Sequence, residues 1–177
     1  DADGRFEIDA DGKVAVKDAS KLDFETDQSH DITVKAVSSD GSEKEVTFTI
    51  AVTNVNDNPV VLIDNDAATN TISEDASNGD LVGITPLATD ADTGATIISY
   101  TLTDDADGRF EIDADGKVAV KDASKLDFET DQSHDITVKA VSSDGSEKEV
   151  TFTIAVTNVN DNPVVLVDND AATNTIS

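Results

Sequence analysis

Residues 150–163 read VTFTIAVTNVNDNP, and this stretch decides the fold. Its first half alternates apolar residues with threonine from Val150 to Val156, the period-two pattern of a β-strand with one buried face. Its second half is rich in asparagine and ends at Pro163, which favours an irregular segment that leaves the strand. The same residues occur at 46–59, so the strand and its polar extension belong to a repeat.

The repeat extends over most of the chain. Residues 1–73 recur as residues 105–177 at an offset of 104, and the two copies differ only at Ile63 and Val167. This similarity indicates tandem duplication, so we expect a fragment of a longer array of 104-residue units. We predict that residues 1–58 are the C-terminal part of one unit, 59–162 a complete unit, and 163–177 the first strand of the next.

One unit contains seven strand patterns, separated by turn signals such as Thr93-Gly94 and Asp144-Gly145. The predicted strands are Val60–Ile63, Leu81–Thr85, Ile97–Leu102, Arg109–Ile112, Lys117–Val120, Ile136–Ala140 and Val150–Val156. We find no segment of ten or more residues with a helical period. The sequence therefore predicts an all-β fold, a seven-stranded Greek-key β-sandwich of the immunoglobulin-like type, repeated in tandem.

Composition excludes several classes of protein. The chain has 12 Lys and Arg against 38 Asp and Glu, a net charge of −26, which argues against nucleic acid as a partner. It has no Cys, which excludes a disulfide scaffold and a thiolate zinc site. Its apolar runs fall short of the roughly 20 residues of a membrane helix, so no membrane insertion is expected.

The acidic residues are expected to gather at the ends of the sandwich, because strands that alternate up and down bring distant turns together. Glu74, Asp127, Glu129 and residues 158–162 fall at one end, and Asp90, Asp92 and Asp144 fall at the other. In a tandem array, Asp23, Glu25 and residues 54–58 would face the second group. Crowded carboxylates need a counter-charge. Oxygen ligands without His or Cys are typical of Ca²⁺ sites.

With these motifs the sequence resembles the cadherin family. Asn54–Pro59 and Asn158–Pro163 are similar to its linker motif D-x-N-D-N-x-P, Leu22–Glu25 and Leu126–Glu129 to its L-D-R-E motif, and Asp90–Gly94 to its D-x-D-x-G motif. The resemblance implies a cadherin-type sandwich with about three Ca²⁺ ions at each complete junction between units. The ligands it implies are Asp23, Glu25, Asn54, Val55, Asn56, Asp57, Asn58, Glu74, Asp90, Asp92, Asp127, Glu129, Asn158, Asn160, Asp161 and Asn162.

Two departures from the family pattern concern these ligands. Asn54 and Asn158 stand where the linker motif begins with Asp, so each junction loses one negative charge. The family's Asp after the sixth strand falls at Ser142, and Asp144 follows two residues later. The sequence leaves open which of these two residues supplies that ligand.

Near-identical repeats and an acidic, Cys-free composition resemble the extender repeats of large bacterial surface adhesins of the RTX type. This resemblance implies a monomeric extracellular spacer at the cell surface, whose partners are neighbouring repeats of the same chain. The alternative is a binding module for polysaccharide or for homophilic cell adhesion.

We do not expect an enzyme. His30 and His134 lie between Ser and Asp in sequence, whereas a catalytic triad is a spatial arrangement. Asp127 and Glu129 could form a glycosidase pair, but they recur beside the linker motif, which favours metal binding. The acidic stretches 105–108 and 113–116 are interpreted as turns.

Overall fold

The computed structural model describes residues 1–167 and residue 169. Over these residues the chain is built from β-strands and two short 3₁₀ turns, Ala19–Lys21 and Ala123–Lys125. The strands are β1 (Phe6–Ile8), β2 (Val14–Val16), β3 (Ser29–Val37), β4 (Glu43–Ala51), β5 (Val61–Asp64), β6 (Thr71–Ser73), β7 (Pro86–Thr89), β8 (Ile97–Asp104), β9 (Phe110–Ile112), β10 (Val118–Val120), β11 (Ser133–Ser142) and β12 (Glu147–Thr157). The all-β prediction is confirmed.

Residues 59–162 form a sandwich whose larger sheet has the strand order β6-β12-β11-β8. The antiparallel pairs β5–β7 and β9–β10 contribute to the opposite side of the core. Between these pairs the segment around Val82 runs along β10, since Val82 N–H donates to the Val118 carbonyl and Val118 N–H donates to the Ile84 carbonyl. This arrangement leaves the loops at both ends of the sandwich free to carry polar side chains.

The strand count differs from the predicted seven, because the first predicted strand is followed by a second short one. Asp66 N–H donates to Asp64 Oδ1, and this turn redirects the chain after β5. The chain then forms β6, which pairs parallel with β12, while β5 pairs with β7. Residues 59–162 therefore contain eight strands, β5 to β12.

The predicted strand Leu81–Thr85 is wrong in its position. Within it only Leu81 forms a β-bridge, to Ala119, and the regular strand lies at Pro86–Thr89. Gly83 explains the interruption, because its φ is +78° and a Cβ there would lie 2.5 Å from the Thr69 carbonyl oxygen. The backbone is thus kinked where the sequence pattern indicated a continuous strand.

The core of residues 59–162 follows the alternation of the two longest strands. Ile136 and Val138 on β11 and Ile154 on β12 are fully buried. Phe110 of β9 is fully buried in the same cluster. Burying a side chain of this size contributes roughly 1.5–3 kcal/mol. The Tyr100 hydroxyl accepts a hydrogen bond of 2.9 Å from Ala88 N–H, which joins β8 to β7.

Residues 1–58 repeat the hairpins of residues 105–162 but bury them less. β1 pairs with β2 and β3 with β4 in the registers of their counterparts. Val14 is 40% exposed, whereas its counterpart Val118 is fully buried. The difference arises because β5–β8 cover the second copy of the sequence.

The last predicted segment, residues 163–177, is described only in part. Residues 163–167 are exposed and form no strand, while residue 168 and residues 170–177 lie outside the described part of the chain. The assignment of this segment to the next unit, like the other unit boundaries, stays a prediction.

Candidate metal centre

Three groups of carboxylates lie at the ends of the sandwich. In each group one oxygen from every member lies within 4.8 Å of the others. The groups are Glu74, Asp127 and Glu129; Glu25, Asp57 and Asp92; and Asp90, Asp92 and Asp144. The topology therefore brings together residues that are separated by up to 68 positions, as from Glu25 to Thr93 beside Asp92.

Glu74 is the buried member of the first group. It follows β6, is only 9% exposed, and its own N–H donates to the Thr157 carbonyl at the end of β12. Its Oε2 accepts a hydrogen bond of 2.7 Å from Phe128 N–H, and its Oε1 accepts one from Val159 N–H. One carboxylate thus holds the β10–β11 loop and the segment after β12 together.

Asp127 in the same group is fixed by its own loop. Its carboxylate accepts hydrogen bonds from the Thr130 hydroxyl at 2.7 Å and from Glu129 N–H at 3.0 Å. The Thr130 hydroxyl is the main cause that lowers the pKa of Asp127. Asp23 has the same arrangement, and the Thr26 hydroxyl lowers its pKa. Both carboxylates are therefore ionised at neutral pH, as a cation ligand must be.

The second group joins two repeats. Asp92, in the loop before β8, is 5% exposed and accepts hydrogen bonds from Asn58 N–H at 3.2 Å and Asn58 Nδ2 at 3.0 Å. Asp57 N–H points to the same carboxylate at 3.4 Å. Glu25 Oε1 accepts a hydrogen bond of 3.1 Å from Thr93 N–H. Residues of the first copy and of the second copy of the sequence thus meet directly.

The third group lies within the second repeat. The Ser146 hydroxyl contacts Asp90 Oδ2 at 3.0 Å and Asp144 Oδ1 at 2.7 Å, so it bridges the two carboxylates. The pKa of Asp90 is lowered first by the neighbouring Ser142 hydroxyl and then by Asp92 N–H. Ser142 is 1% exposed, and its Oγ makes no hydrogen bond of normal geometry with the described residues.

The asparagines of the linker motif contribute through their amides. Asn54 Nδ2 donates to the Thr93 carbonyl at 3.3 Å, and Asn158 Nδ2 donates to Glu129 Oε1 at 3.1 Å. Asp23 and Asp161 belong to none of the three carboxylate groups found in the described residues. Val55, Asn56, Asn160 and Asn162 form no side-chain hydrogen bond within that part of the chain.

Some contacts left no signal in the sequence pattern. The contacts of Thr93 use its backbone N–H and carbonyl, which any residue could supply. Ser146 was predicted only as part of the turn after Asp144-Gly145. Its bridge to Asp90 depends on how β8 and β11 pair, where the register shifts between Val141 and Ser142.

The other acidic stretches are turns, as interpreted from the sequence. Asp113 Oδ1 accepts hydrogen bonds from Asp115 N–H and Lys117 N–H, at 2.9 and 2.8 Å. In the stretch 105–108, Ala106 and Asp107 have φ of 55° and 57°. Cationic side chains cap this turn, because Arg109 and Lys125 donate to its backbone carbonyls at 2.8 and 2.7 Å.

The two histidines are buried core residues. His134 is 9% exposed, and its ring centroid lies 6.1 Å from that of Phe110 in a tilted arrangement. His30 packs on Phe6 in the same way. The His134 pKa is lowered by burial and by the positive charge of Arg109, and Asp131 opposes this shift.

The donor set fits a hard divalent cation. All three groups consist of carboxylates, without His or Cys, and oxygen donors are the ligands that Ca²⁺ takes. A polar cavity of about 280 Å³ lies between the linker and the loops around Asp92 and Asp144, with Asn54, Asn56 and Ser143 also in its lining. Repulsion among the carboxylates would be relieved by an ion shared between the two repeats.

The family model described as "Cadherin domain" matches residues 68–157, about half of the chain. The chain belongs to the cadherin family. Among curated proteins it is similar to mouse Protocadherin Fat 4, 38% identical over 135 residues, and to Cadherin-4 of Caenorhabditis elegans, 31% identical over 153 residues. These matches cover 73% and 86% of this chain but only 3% of each relative.

Solved cadherin structures have the same fold. Extracellular cadherin domains 3–6 of Protocadherin Gamma B2 match with a TM-score of 0.73 and 20% identity, over 90% of this chain and 38% of that one. Domains EC22–24 of mouse Cadherin-23 match with a TM-score of 0.64 and 25% identity, over 89% of this chain and 51% of that one. The predicted cadherin-type sandwich is thereby confirmed. The helices found in the described residues are too short to cross a membrane.

Proposed function

We propose that this cadherin-family chain is a calcium-rigidified spacer, an extender segment of a large bacterial cell-surface adhesin. The observation that carries the proposal is the buried carboxylate of Asp92. It holds the linker of the preceding repeat and lies within 4.8 Å of Glu25 and Asp57 from that repeat. A cation bound here would have ligands from both repeats and would fix their relative orientation.

Electrostatics gives the ion its mechanical role. Residues 74–177, one full period, contain 22 acidic and 6 basic residues, a net charge of −16. Without cations the facing carboxylates repel one another and oppose a straight junction. About three Ca²⁺ ions per junction, the number that the family resemblance implies, would add about six positive charges. The remaining negative charge keeps such an array soluble and separate from its neighbours.

The class of protein agrees with this role. Cadherin domains are extracellular adhesion modules that bind Ca²⁺, and they act next to neighbouring domains. Copies that differ at one residue in 73 suit a spacer, because every junction then has the same ligands. The acidic, Cys-free composition supports the bacterial, secreted assignment, whereas the curated relatives named above are animal proteins. We expect the chain to be monomeric.

Thermal unfolding in millimolar Ca²⁺, in equal Mg²⁺ and in chelator tests the proposal. Tyr100, the single tyrosine, lies in the second repeat, so its near-ultraviolet circular dichroism reports on the unfolding of that repeat. A ligand at 100 times its Kd stabilises by about 2.7 kcal/mol. For a domain of this size that corresponds to a rise in Tm of roughly 10–20 °C. The rise should be specific for Ca²⁺.

Asp57→Ala and Asp161→Ala form a matched pair, since both lie in the sequence TNVNDNPV. Asp57 is close to Glu25 and Asp92, whereas Asp161 belongs to no carboxylate group of the described residues. We expect Asp57→Ala to remove much of the Ca²⁺-dependent rise and Asp161→Ala to preserve it. Coincident curves for all three solutions would overturn the spacer proposal. Specific retention on a polysaccharide, or self-association in Ca²⁺, would then support the binding-module alternative.

A further inference from the structure

The two copies of the linker show complementary halves of one junction. Residues 53–60 and 157–164 have the same sequence, TNVNDNPV. The first copy is followed by a repeat, so it shows the contacts with the next unit. The second copy is preceded by a complete repeat that includes Glu74, so it shows the contacts with the unit before it. Because the sequences are identical, the two sets of contacts can be combined.

The start of the linker is held by the repeat that precedes it. Val159 N–H donates to Glu74 Oε1, and Asn158 Nδ2 donates to Glu129 Oε1 at 3.1 Å. Glu74 is 9% exposed and also accepts from Phe128 N–H. If the linker moved away, one oxygen of a buried carboxylate would lose its partner, which is costly.

The end of the linker is held by the repeat that follows it. Asn58 N–H and Asn58 Nδ2 both donate to Asp92, at 3.2 and 3.0 Å, and Asp57 N–H points to the same carboxylate. Asp92 is 5% exposed, so these amides are the partners of a buried charge. None of these hydrogen bonds requires a metal ion.

One residue is left between the two clamps. Asn56 and its counterpart Asn160 are exposed, and within the described part of the chain their N–H groups donate no hydrogen bond. The residue before each is held by the preceding repeat when Glu74 is present. The residue after each is held by the following repeat when Asp92 is present.

We infer that each junction pivots at a single residue, Asn56 or Asn160, and that Glu74 and Asp92 are positioning residues which clamp the linker on either side of it before any cation binds. This inference rests on the proposed role of residues 54–58 as an inter-repeat linker. A chain in chelator would then consist of rigid repeats joined by one-residue pivots. Cation binding would only have to fix that pivot, so the entropy lost on binding would be small.

Amide hydrogen exchange of the whole chain in chelator tests the inference. Val55 and Val159 have the same neighbours in sequence and hence the same intrinsic exchange rate, but only Val159 has a Glu74 partner. We expect Val159 to exchange at least about tenfold more slowly than Val55, and Asn58 to be protected to a similar degree. Asn56 and Asn160 should exchange at the rate of an open chain.

Two variants separate the clamps. Glu74→Ala should raise the exchange rate of Val159 to that of Val55 and leave Asn58 unchanged. Asp92→Ala should do the reverse. Equal rates for Val55 and Val159 in the unmodified chain would overturn the inference, and so would a Val159 rate that Glu74→Ala does not change.

A proline pair keeps the test informative if Glu74→Ala fails to fold. Val159→Pro removes the N–H that Glu74 accepts, whereas Val55→Pro removes one with no partner in the described residues. We expect only Val159→Pro to lower the Tm of the Tyr100 signal in chelator, by several degrees. Equal Tm values would contradict the clamp. The calcium melts are read separately, so loss of the Ca²⁺ effect with intact amide protection would overturn the spacer proposal alone.

Discussion

Asn58 Nδ2 lies 3.0 Å from Asp92 Oδ1, and this contact joins the linker after one repeat to a buried carboxylate of the next. Asp92 also belongs to two of the three carboxylate groups, so it is the point where the linker group and the group within the second repeat meet. A single side chain therefore couples the position of the linker to the charge of both groups.

Replacing that charge tests the coupling. Asp92→Asn keeps the size of the side chain but removes one ligand charge from two groups at once. We expect the difference in Tm between Ca²⁺ and chelator to fall by more than half, because hard cations bind carboxylate more strongly than amide oxygen. Asp115→Asn, an equal change at an exposed turn, should leave that difference unaltered. Equal calcium shifts in both variants would contradict the assignment of Asp92.

Ser142 offers a change that should act in opposite directions with and without Ca²⁺. Ser142→Asp places a carboxylate in a buried position beside Asp90. In chelator we expect a destabilisation of about 3–5 kcal/mol, because an unpaired buried charge is costly. In Ca²⁺ the added ligand should restore most of that loss. Tm measured in both solutions gives the comparison.

The matched control for Ser142 is its counterpart in the first copy. Ser38→Asp makes the same substitution in the same local sequence, but Ser38 is exposed. We expect a change of Tm below a few degrees in either solution. A Ser142→Asp variant that behaves like Ser38→Asp would show that the site tolerates a third aspartate without a cation.

The duplicated core allows the same substitution at two levels of burial. Ile154 is fully buried, whereas its counterpart Ile50 is only partly buried. Ile154→Ala should cost about 2–5 kcal/mol in the free energy of unfolding. Ile50→Ala should leave the Tyr100 transition almost unchanged. Urea unfolding followed by the Tyr100 signal measures both, and equal losses would contradict the burial difference between the copies.

His134 predicts a loss of stability in mild acid. Its folded-state pKa is lowered by burial and by Arg109, so the unfolded chain binds a proton more readily than the folded chain. Stability is therefore constant above the unfolded pKa of about 6.5 and decreases as the pH falls through it towards the folded value. We expect Tm in chelator to fall by a few degrees between pH 7.5 and 5.5.

His134→Gln isolates this effect, because glutamine keeps a polar side chain that does not titrate. Its Tm should vary less between pH 7.5 and 5.5 than that of the unmodified chain. The aspartates whose pKa values are lowered, such as Asp90 and Asp127, titrate well below this range. A variant with the original pH dependence would assign the loss to another group.

The sequence predicted those parts of the structure that depend on side-chain periodicity. The alternation around Val138 and Ile154 gave the buried face of β11 and β12, and the spacing of Glu74, Asp127 and Glu129 gave their meeting at one end. The position of the second strand could not be predicted in this way. Gly83 kinks the chain because of a carbonyl at Thr69, a contact between separate segments.

The carboxylate groups show the same limit. Sequence spacing left Ser142 and Asp144 as alternatives for one ligand. The register shift between Val141 and Ser142 turns the serine inward, and the turn after β11 brings Asp144 to Asp90 and Asp92. The bulge depends on pairing with β8, and local sequence carries little information about it. Which of the two residues binds a cation stays a prediction.

The offset of 104 residues has a consequence for how such a protein can change its length. Two copies that agree at every aligned position but one can recombine at any point along the repeat, and the product gains or loses 104 residues. Wherever the crossover falls, each linker is still followed by a counterpart of Asp92 and preceded by a counterpart of Glu74. Reach can thus be adjusted by whole modules, while the chemistry of every joint stays the same.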